Sequence, residues 1–518
     1  MPGTRQTRSQ AKFDDTWNLN HRSLVSRLPP EVLLLIFDFV RLEQEKNRAA
    51  KLSEDYTSLN STDESTGKIG WIIVGQVCRR WRETALASPK LWSNIKVEDK
   101  KCRWAMEMLK RSKKTLLSIH LDLYIMDKRC KYKQTRTALA RSALLHVQKH
   151  LGRCKSLSIL SGDCGYIKLD SVLEGYPMPN LETLVINGEK SIQPDIELSD
   201  KELAASSLRI LKLSHVALDF DSKFLRGLTT LQIHHCTTSI PFLRLLDCLA
   251  LIPLLKQLNI HLSSFTLDRP DLPLVRAHSL NSHSLDLIDL TILATSPFET
   301  TALLSVTNNF VHLEITLLGI TQGASLASDL ESFWTTVSDR LTEAGRSFCH
   351  YDFGVTQDIF IVKGHGTQEN SVTFELNLGL HKGDILPSAL LQSVHIYFPM
   401  DGLSSIEVYS RAPLDLAPNL GTVRTLTTVC VEGSFVPDFF ENLCDEDAFP
   451  ALEHISVTVS KSFFHQFKSG PLLRGLRARH ERDTPIKVLS LKGVFAMSAA
   501  IKKTLQSVVG SLKVEYEE

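Results

Sequence analysis

Ten cysteines and eighteen histidines among 518 residues could hold a metal or supply a nucleophile, so their spacing comes first. His234-His235-Cys236 is the densest local group. Adjacent residues of a strand point to opposite faces, and no second ligand group is spaced to complete a site, so the triplet predicts no metal centre. The cysteines form no C-x-x-C pair and no zinc-module spacing, which points to reduced thiols rather than a disulfide framework. Gly364-His365-Gly366 lacks the further glycine, the lysine and the following helix of a phosphate loop, and reads as part of a hairpin turn. The acids Asp286, Asp289 and Glu314 are scattered, and G-x-S-x-G, H-E-x-x-H and Walker patterns are absent. These patterns predict no catalytic residues, no metal and no cofactor. A site hidden in three dimensions would need convergent acids or histidines.

Binding chemistry is better represented, by apolar residues at helical spacing. In Leu28-Pro29-Pro30-Glu31-Val32-Leu33-Leu34-Leu35-Ile36-Phe37 the prolines suit an unsatisfied first helical turn, and Glu31 suits the positive end of the helix dipole. Val32, Leu35, Ile36 and Phe39 then share one face of a helix reaching about Val40, and Leu33 and Phe37 broaden it. Such a face is wider than one short helix can bury alone, so it must meet other helices or a partner. Val74, Val77, Cys78 and Trp81 repeat the pattern in a second helix, opposite Arg79, Arg80, Arg82 and Glu83. Ser88-Pro89 has the form of an N-cap and first-turn proline, opening a short helical turn with Leu91 and Trp92.

Leu-Pro-x-Glu-Val-Leu-x-x-Ile-Phe, Val-Cys-Arg-x-Trp and Pro-x-Leu-Trp together resemble the F-box of fungal F-box proteins, over about residues 24–98. The resemblance implies a small all-α domain that docks on a Skp-type adaptor and, through it, a cullin. Carried over by residue, the adaptor contacts would be Leu28, Pro29, Glu31, Val32, Ile36, Phe37, Val77, Cys78, Trp81, Leu91 and Trp92. For Trp81 and Trp92 a role inside the domain is an equal expectation. The segment departs from the compact pattern at about 41–70, where Glu, Lys, Ser, Thr and Asp dominate and a flexible inserted loop is expected.

Composition sets the remaining bounds. A formal net charge of +1 gives no general polyanion binder, so no nucleic-acid partner is expected. The basic runs Lys110–Lys114 and Lys128–Lys133 read as solvated faces. Residues 1–23 read as a disordered polar arm, and the lack of an apolar leader or long apolar run predicts a soluble, cytoplasmic or nuclear chain without a membrane partner.

From 99 to 518 an apolar-x-x-apolar-x-apolar motif recurs, mostly every 20 to 35 residues, at the period of leucine-rich repeats. It appears at Leu116-Ile119-Leu121, Leu181-Leu184-Ile186, Leu208-Leu211-Leu213, Leu228-Leu231-Ile233, Leu255-Leu258-Ile260 and Leu285-Ile288-Leu290. It returns at Leu391-Val394-Ile396, Leu426-Val429-Val431, Leu452-Ile455-Val457 and Ile486-Leu489-Leu491. Each motif predicts a short parallel strand, and intervening stretches such as Phe242-Leu245-Leu246-Leu249-Ile252 predict helices packed behind it. The family's Asn or Cys three residues later occurs only as Cys236, so no asparagine ladder is expected. Between about 325 and 411 the rhythm weakens into a helix through Leu326–Leu341 and a hairpin of Asp358–Val362 with Ser371–Leu378.

The expected fold class is α/β, a small all-α F-box-like domain followed by an irregular leucine-rich-repeat-type solenoid. The expected function is that of a substrate receptor of an SCF-type ubiquitin ligase, holding an unidentified protein target on its repeats. The alternative is a repeat scaffold that uses the adaptor without ubiquitination.

Overall fold

The computed structural model describes residues 28–54, 70–97, 102–122, 145–160, 173, 175–188, 197–198, 200, 203, 205–235, 240–267, 287–307, 310–318, 326–343, 348–356, 359–366, 374–379, 387–398, 400, 402–411, 414–459, 469–493 and 498–516. The expected arm at 1–23, the stretch 55–69, the second basic run, Cys236 and residues 367–370 of the loop 363–370 lie outside them. The chain divides into two compact units, Met1–Ile192 with Asp200–Leu208, and Gln193–Ser199 with Arg209–Glu518. The boundary expected at 98/99 falls inside the first. Among the described residues the architecture is mixed α/β with mostly parallel strands and no closed barrel. No described helix is long and apolar enough to cross a membrane.

In the first unit, α1 runs Pro30–Glu54, well past the expected end at Val40. Apart from Asn47 and Ser53, residues 41–54 are Arg, Leu, Glu, Gln, Lys and Ala, strong helix formers that favour propagating an existing helix. A 3-10 turn Gly70–Ile73 leads into α2, Val74–Val77, and α3 spans Arg79–Ala87. The single helix expected through Val74 and Trp81 is therefore broken at Cys78, whose backbone is extended (φ −156°, ψ 169°). Cys78 instead caps α3, its sulfur accepting a hydrogen bond from the Trp81 amide at 3.5 Å. Ser88 does stand at the N-cap of the turn Pro89–Trp92, but its hydroxyl makes no capping bond.

Four parallel strands complete this unit: β1 Asn94–Val97, β2 Leu117–Asp122, β3 Cys154–Leu160 and β4 Thr183–Asn187. Trp92, Ile95 and Val97 already have the repeat spacing and are all buried, so the first strand of the sheet grows directly out of the Leu-Trp turn. Helix α4, Cys102–Arg111, joins β1 to β2 and sets the Arg111 guanidinium 4.4 Å over the Trp92 ring. In the first basic run Lys110, Lys113 and Lys114 are exposed, as a solvated face requires, while Ser112 is buried and the carbonyls of Lys113, Thr115 and Leu109 accept hydrogen bonds from Arg153.

The second unit carries thirteen described strands in one sheet: β5 Ile210–Ser214, β6 Thr230–His234, β7 Gln257–His261, β8 Asp289–Ala294, β9 His312–Leu317, β10 His350–Val355, β11 Ile359–His365, β12 Phe374–Gly379, β13 Ser405–Ser410, β14 Thr428–Gly433, β15 His454–Val459, β16 Val488–Gly493 and β17 Ser511–Tyr516. Strands β5 to β9 and β13 to β17 pair in chain order and in parallel. Helices between several of them supply the crossovers that parallel pairing requires, including Phe242–Ala250 within the expected stretch Phe242–Ile252, and the expected helix Leu326–Glu343 leads from β9 to β10. The order reverses once. Strand β9 pairs with β12, β10 pairs with β13, and β11 lies antiparallel between β12 and β10.

The repeat motifs at Leu181, Leu208, Leu228, Leu255, Leu426, Leu452 and Ile486 all place their apolar residues inside. Two do not. Leu391-Val394-Ile396 lies in the helix Pro387–Tyr397, with Ile396 61% exposed, and the strand follows at Leu403-Ile406-Val408. The motif placed at Leu285 slips by two, because Leu287, Leu290 and Ile292 face inward while Ile288 is exposed. The expected hairpin appears as β11 and β12, but Gly364 and His365 belong to the strand rather than the turn. A side chain at Gly364 would meet the Phe348 ring at 2.8 Å, so glycine makes room for the aromatic core of Phe348, Tyr351, Phe353 and Phe374.

Candidate functional site

The broad apolar surface of α1 is divided in two. Leu33 and Phe37 are fully buried, and the Phe37 ring meets Trp81 of α3 with centroids 5.1 Å apart. Val32, Leu35, Ile36, Phe39 and Leu42 point elsewhere, with Leu35 70% and Phe39 64% exposed. At 100° per residue these five fall within an arc of about 120°, beside the buried stripe. The turn Gly70–Ile73 packs against α1, and Ile73 and Val77 add two more exposed apolar side chains in this region. Contiguous exposed apolar surface of this kind marks an interaction site.

The remaining contacts hold that face in place. Pro29 offers its carbonyl to the Leu33 amide at 3.1 Å, and the Leu28 carbonyl accepts from Arg80 of α3. Asp38 accepts from Arg41 at 2.6 Å and from Lys90 at 3.1 Å, tying α1 to the Pro89–Trp92 turn. Burial alone would raise the Asp38 carboxyl, but these two cations more than offset it and hold it below the usual carboxylate range. The indole N–H of Trp92 donates to the Ala85 carbonyl at 2.9 Å, locking the turn under α3.

The eleven residues expected to meet a partner therefore separate by position. Pro29, Glu31, Val32, Ile36 and Val77 are exposed, and Leu28, Cys78 and Trp81 are half-buried. Phe37, Leu91 and Trp92 are at most 3% exposed and sit in the core of the free chain, which for Trp92 is the role inside the domain that was an equal expectation. Leu35, Phe39, Leu42 and Ile73 extend the exposed face beyond the carried-over set. Helical periodicity had grouped Leu35 and Phe39 with Val32 and Ile36, yet periodicity alone does not say which side of a broad apolar helix its own domain covers.

The second unit presents a different surface. In register across its sheet stand Lys212, Gln232, Asn259, Thr291, Glu314, Glu375, Lys363, Asp352, Glu407, Cys430, Ser456, Ser490 and Lys513. None is buried, whereas the alternate positions form the core. The centre of this polar row is rich in carboxylates, with Lys363 paired to Glu375 at 3.0 Å. The acid Asp289 stands one row away, hydrogen-bonded to Gln257 at 2.7 Å; Asp286 lies outside the described residues.

Residues 25–98 match the F-box-like family. Comparison with curated proteins gives no match. The match spans the helical segment of the first unit and its first strand, including every expected adaptor-contact position, and it supports an F-box protein.

Proposed function

We propose that this chain is a substrate receptor of an SCF-type cullin-RING ubiquitin ligase. In this reading Val32, Leu35, Ile36, Phe39 and Val77 form the centre of a docking face for a Skp-type adaptor. Pro29 and Glu31 lie at its margin, Leu28, Cys78 and Trp81 support it, and the adaptor links the chain to a cullin. The parallel strands and their crossover helices are coils of an irregular leucine-rich-repeat-type solenoid, and their polar sheet face holds a protein target. The receptor has no catalytic step of its own. It raises the effective concentration of the target beside a conjugating enzyme, in the cytoplasm or nucleus.

One observation carries the proposal: within a segment matching the F-box-like family, the apolar residues that the domain's own core leaves uncovered sit together on one face of α1. Burying such side chains at an interface is what anchors a helix-based complex. The test is co-purification of the full chain with a Skp-type adaptor, comparing wild type with a Leu35→Asp, Phe39→Asp double variant. Capture by wild type and loss in the variant supports docking, and equal capture refutes this face. Recovery of a cullin in the same complex distinguishes a ligase receptor from an adaptor-bound scaffold.

A further inference from the structure

The reversal in sheet order brings together side chains that are far apart in sequence. His350 opens β10, His365 closes β11 and Ser405 opens β13, and His350 is the register partner of both. Two residues along β10, Asp352 faces Glu407 of β13. The Asp352 carboxylate receives both imidazoles, His350 Nε2 at 2.5 Å on one oxygen and His365 Nε2 at 3.0 Å on the other. One ligand atom from each of His350, Asp352 and Glu407 lies within 4.8 Å of the others, the sole such group of three or more among the described residues. The side chains of His350, Asp352 and His365 are between 29% and 39% exposed, open enough for an ion to enter from the sheet face.

We propose that His350, His365, Asp352 and Glu407 form a Zn²⁺ site that ties β10, β11 and β13 together. Two imidazole nitrogens and two carboxylates are a donor set that suits Zn²⁺, whereas all-oxygen sets suit Mg²⁺ or Ca²⁺. Four protein ligands fill a tetrahedron, the pattern of a structural rather than a catalytic zinc. Each imidazole would ligate through Nε2 as its neutral Nδ1–H form, so a neutral ring moves its proton from Nε2 to Nδ1, whereas an imidazolium releases one proton to solvent. Ligand atoms around zinc lie roughly 3.3 Å apart, so the His350–Asp352 contact opens by somewhat under an ångström, while Glu407 and His365, which stands outside the group of three and touches it through Asp352, close in. An outer partner is already present: Ser405 Oγ is 2.6 Å from His350 Nδ1 and fixes the ring so that Nε2 faces the site.

The location gives the ion a job. Strand β11 is the antiparallel member of an otherwise parallel sheet, and its pairing with β10 is set by a hairpin rather than by a crossover helix. A bound ion pins that hairpin to β13. Spacing rules for zinc modules miss such a site because its ligands come from three strands and span residues 350 to 407.

The test is isothermal titration of chelator-stripped full-length chain with ZnCl₂. Wild type is expected to bind one tight equivalent through this site, and His350→Ala with Asp352→Asn to weaken it at least 100-fold. Ser405→Ala, which touches no metal, is expected to weaken it about 10-fold. His365→Gln and Glu407→Gln, both on the open face, provide the same reading if the double variant does not fold. Absence of a tight equivalent overturns the proposal. So does an equivalent unchanged in the ligand variants, which would place zinc on other histidines such as His234 or His235.

Discussion

Replacing Leu35 and Phe39 together by alanine separates docking from folding. Full burial of a leucine or phenylalanine is worth about 1.5–3 kcal/mol, and these side chains are 70% and 64% exposed in the free chain, so each has about 1–2 kcal/mol left to gain from a partner. The pair then accounts for about 2–4 kcal/mol, a loss of roughly 30- to 700-fold in affinity for the adaptor. Because neither side chain is in the core, the unfolding midpoint should move by no more than about 0.5 kcal/mol equivalent. Phe37→Ala is the opposite case. Its fully buried ring against Trp81 predicts a stability loss of about 3–5 kcal/mol, seen as a lower thermal midpoint. The assay is titration of adaptor onto immobilised full-length chain, with circular dichroism melts of each variant. A Leu35→Ala, Phe39→Ala chain that binds within threefold of wild type at an unchanged midpoint refutes the assignment of this face.

Three further outcomes concern the second unit. Glu299 has its Oε2 buried without a hydrogen-bond partner, and burial pushes its carboxyl up to about 7 from 4.5. The folded chain thus keeps a proton that the unfolded chain loses, so stability falls as pH rises from about 4.5 to 7 and levels above it; Glu299→Gln should remove this slope and stabilise at pH 8 by about 1–3 kcal/mol in denaturant melts. Arg479, 3% exposed, donates to the carbonyls of Ala448, Phe449, Leu452 and Thr484, so Arg479→Met strands them and should cost about 3–5 kcal/mol, measured by urea unfolding. Gly433 ends β14 with φ 129°, and a Cβ there would fall 1.8 Å from the Ser410 carbonyl oxygen, so Gly433→Ala should cost roughly 3 kcal/mol or more in the same measurement.

Regular parts of the fold were legible because one period dominated them. At Leu211, Leu231 and Leu258 the alternation of buried and exposed residues leaves one possible register, and the strands follow it. At residues 285–292 apolar side chains occupy both phases of the alternation, so two registers fit the sequence and only packing decides between them. Leu391-Val394-Ile396 fits the six-residue strand motif, but Leu390, Leu391 and Val394 also share a helical face, and a window that short cannot distinguish the two periods. Strand β10 went unread because its inward residues are Tyr351, Phe353 and Val355 rather than leucines. In the candidate docking site the apolar width of α1 was visible in sequence. Its division between core and surface was not, since that depends on where Trp81 and the Pro89–Trp92 turn stand after the chain returns from beyond residue 54.

Reconstitution tests the central claim most directly: purified full-length chain mixed with a Skp-type adaptor and a cullin, with complex mass read by light scattering. A complex containing one copy of each is expected, lost when Leu35 and Phe39 are replaced by aspartate in a chain that still folds. A folded wild-type chain that forms no complex with the adaptor would contradict it.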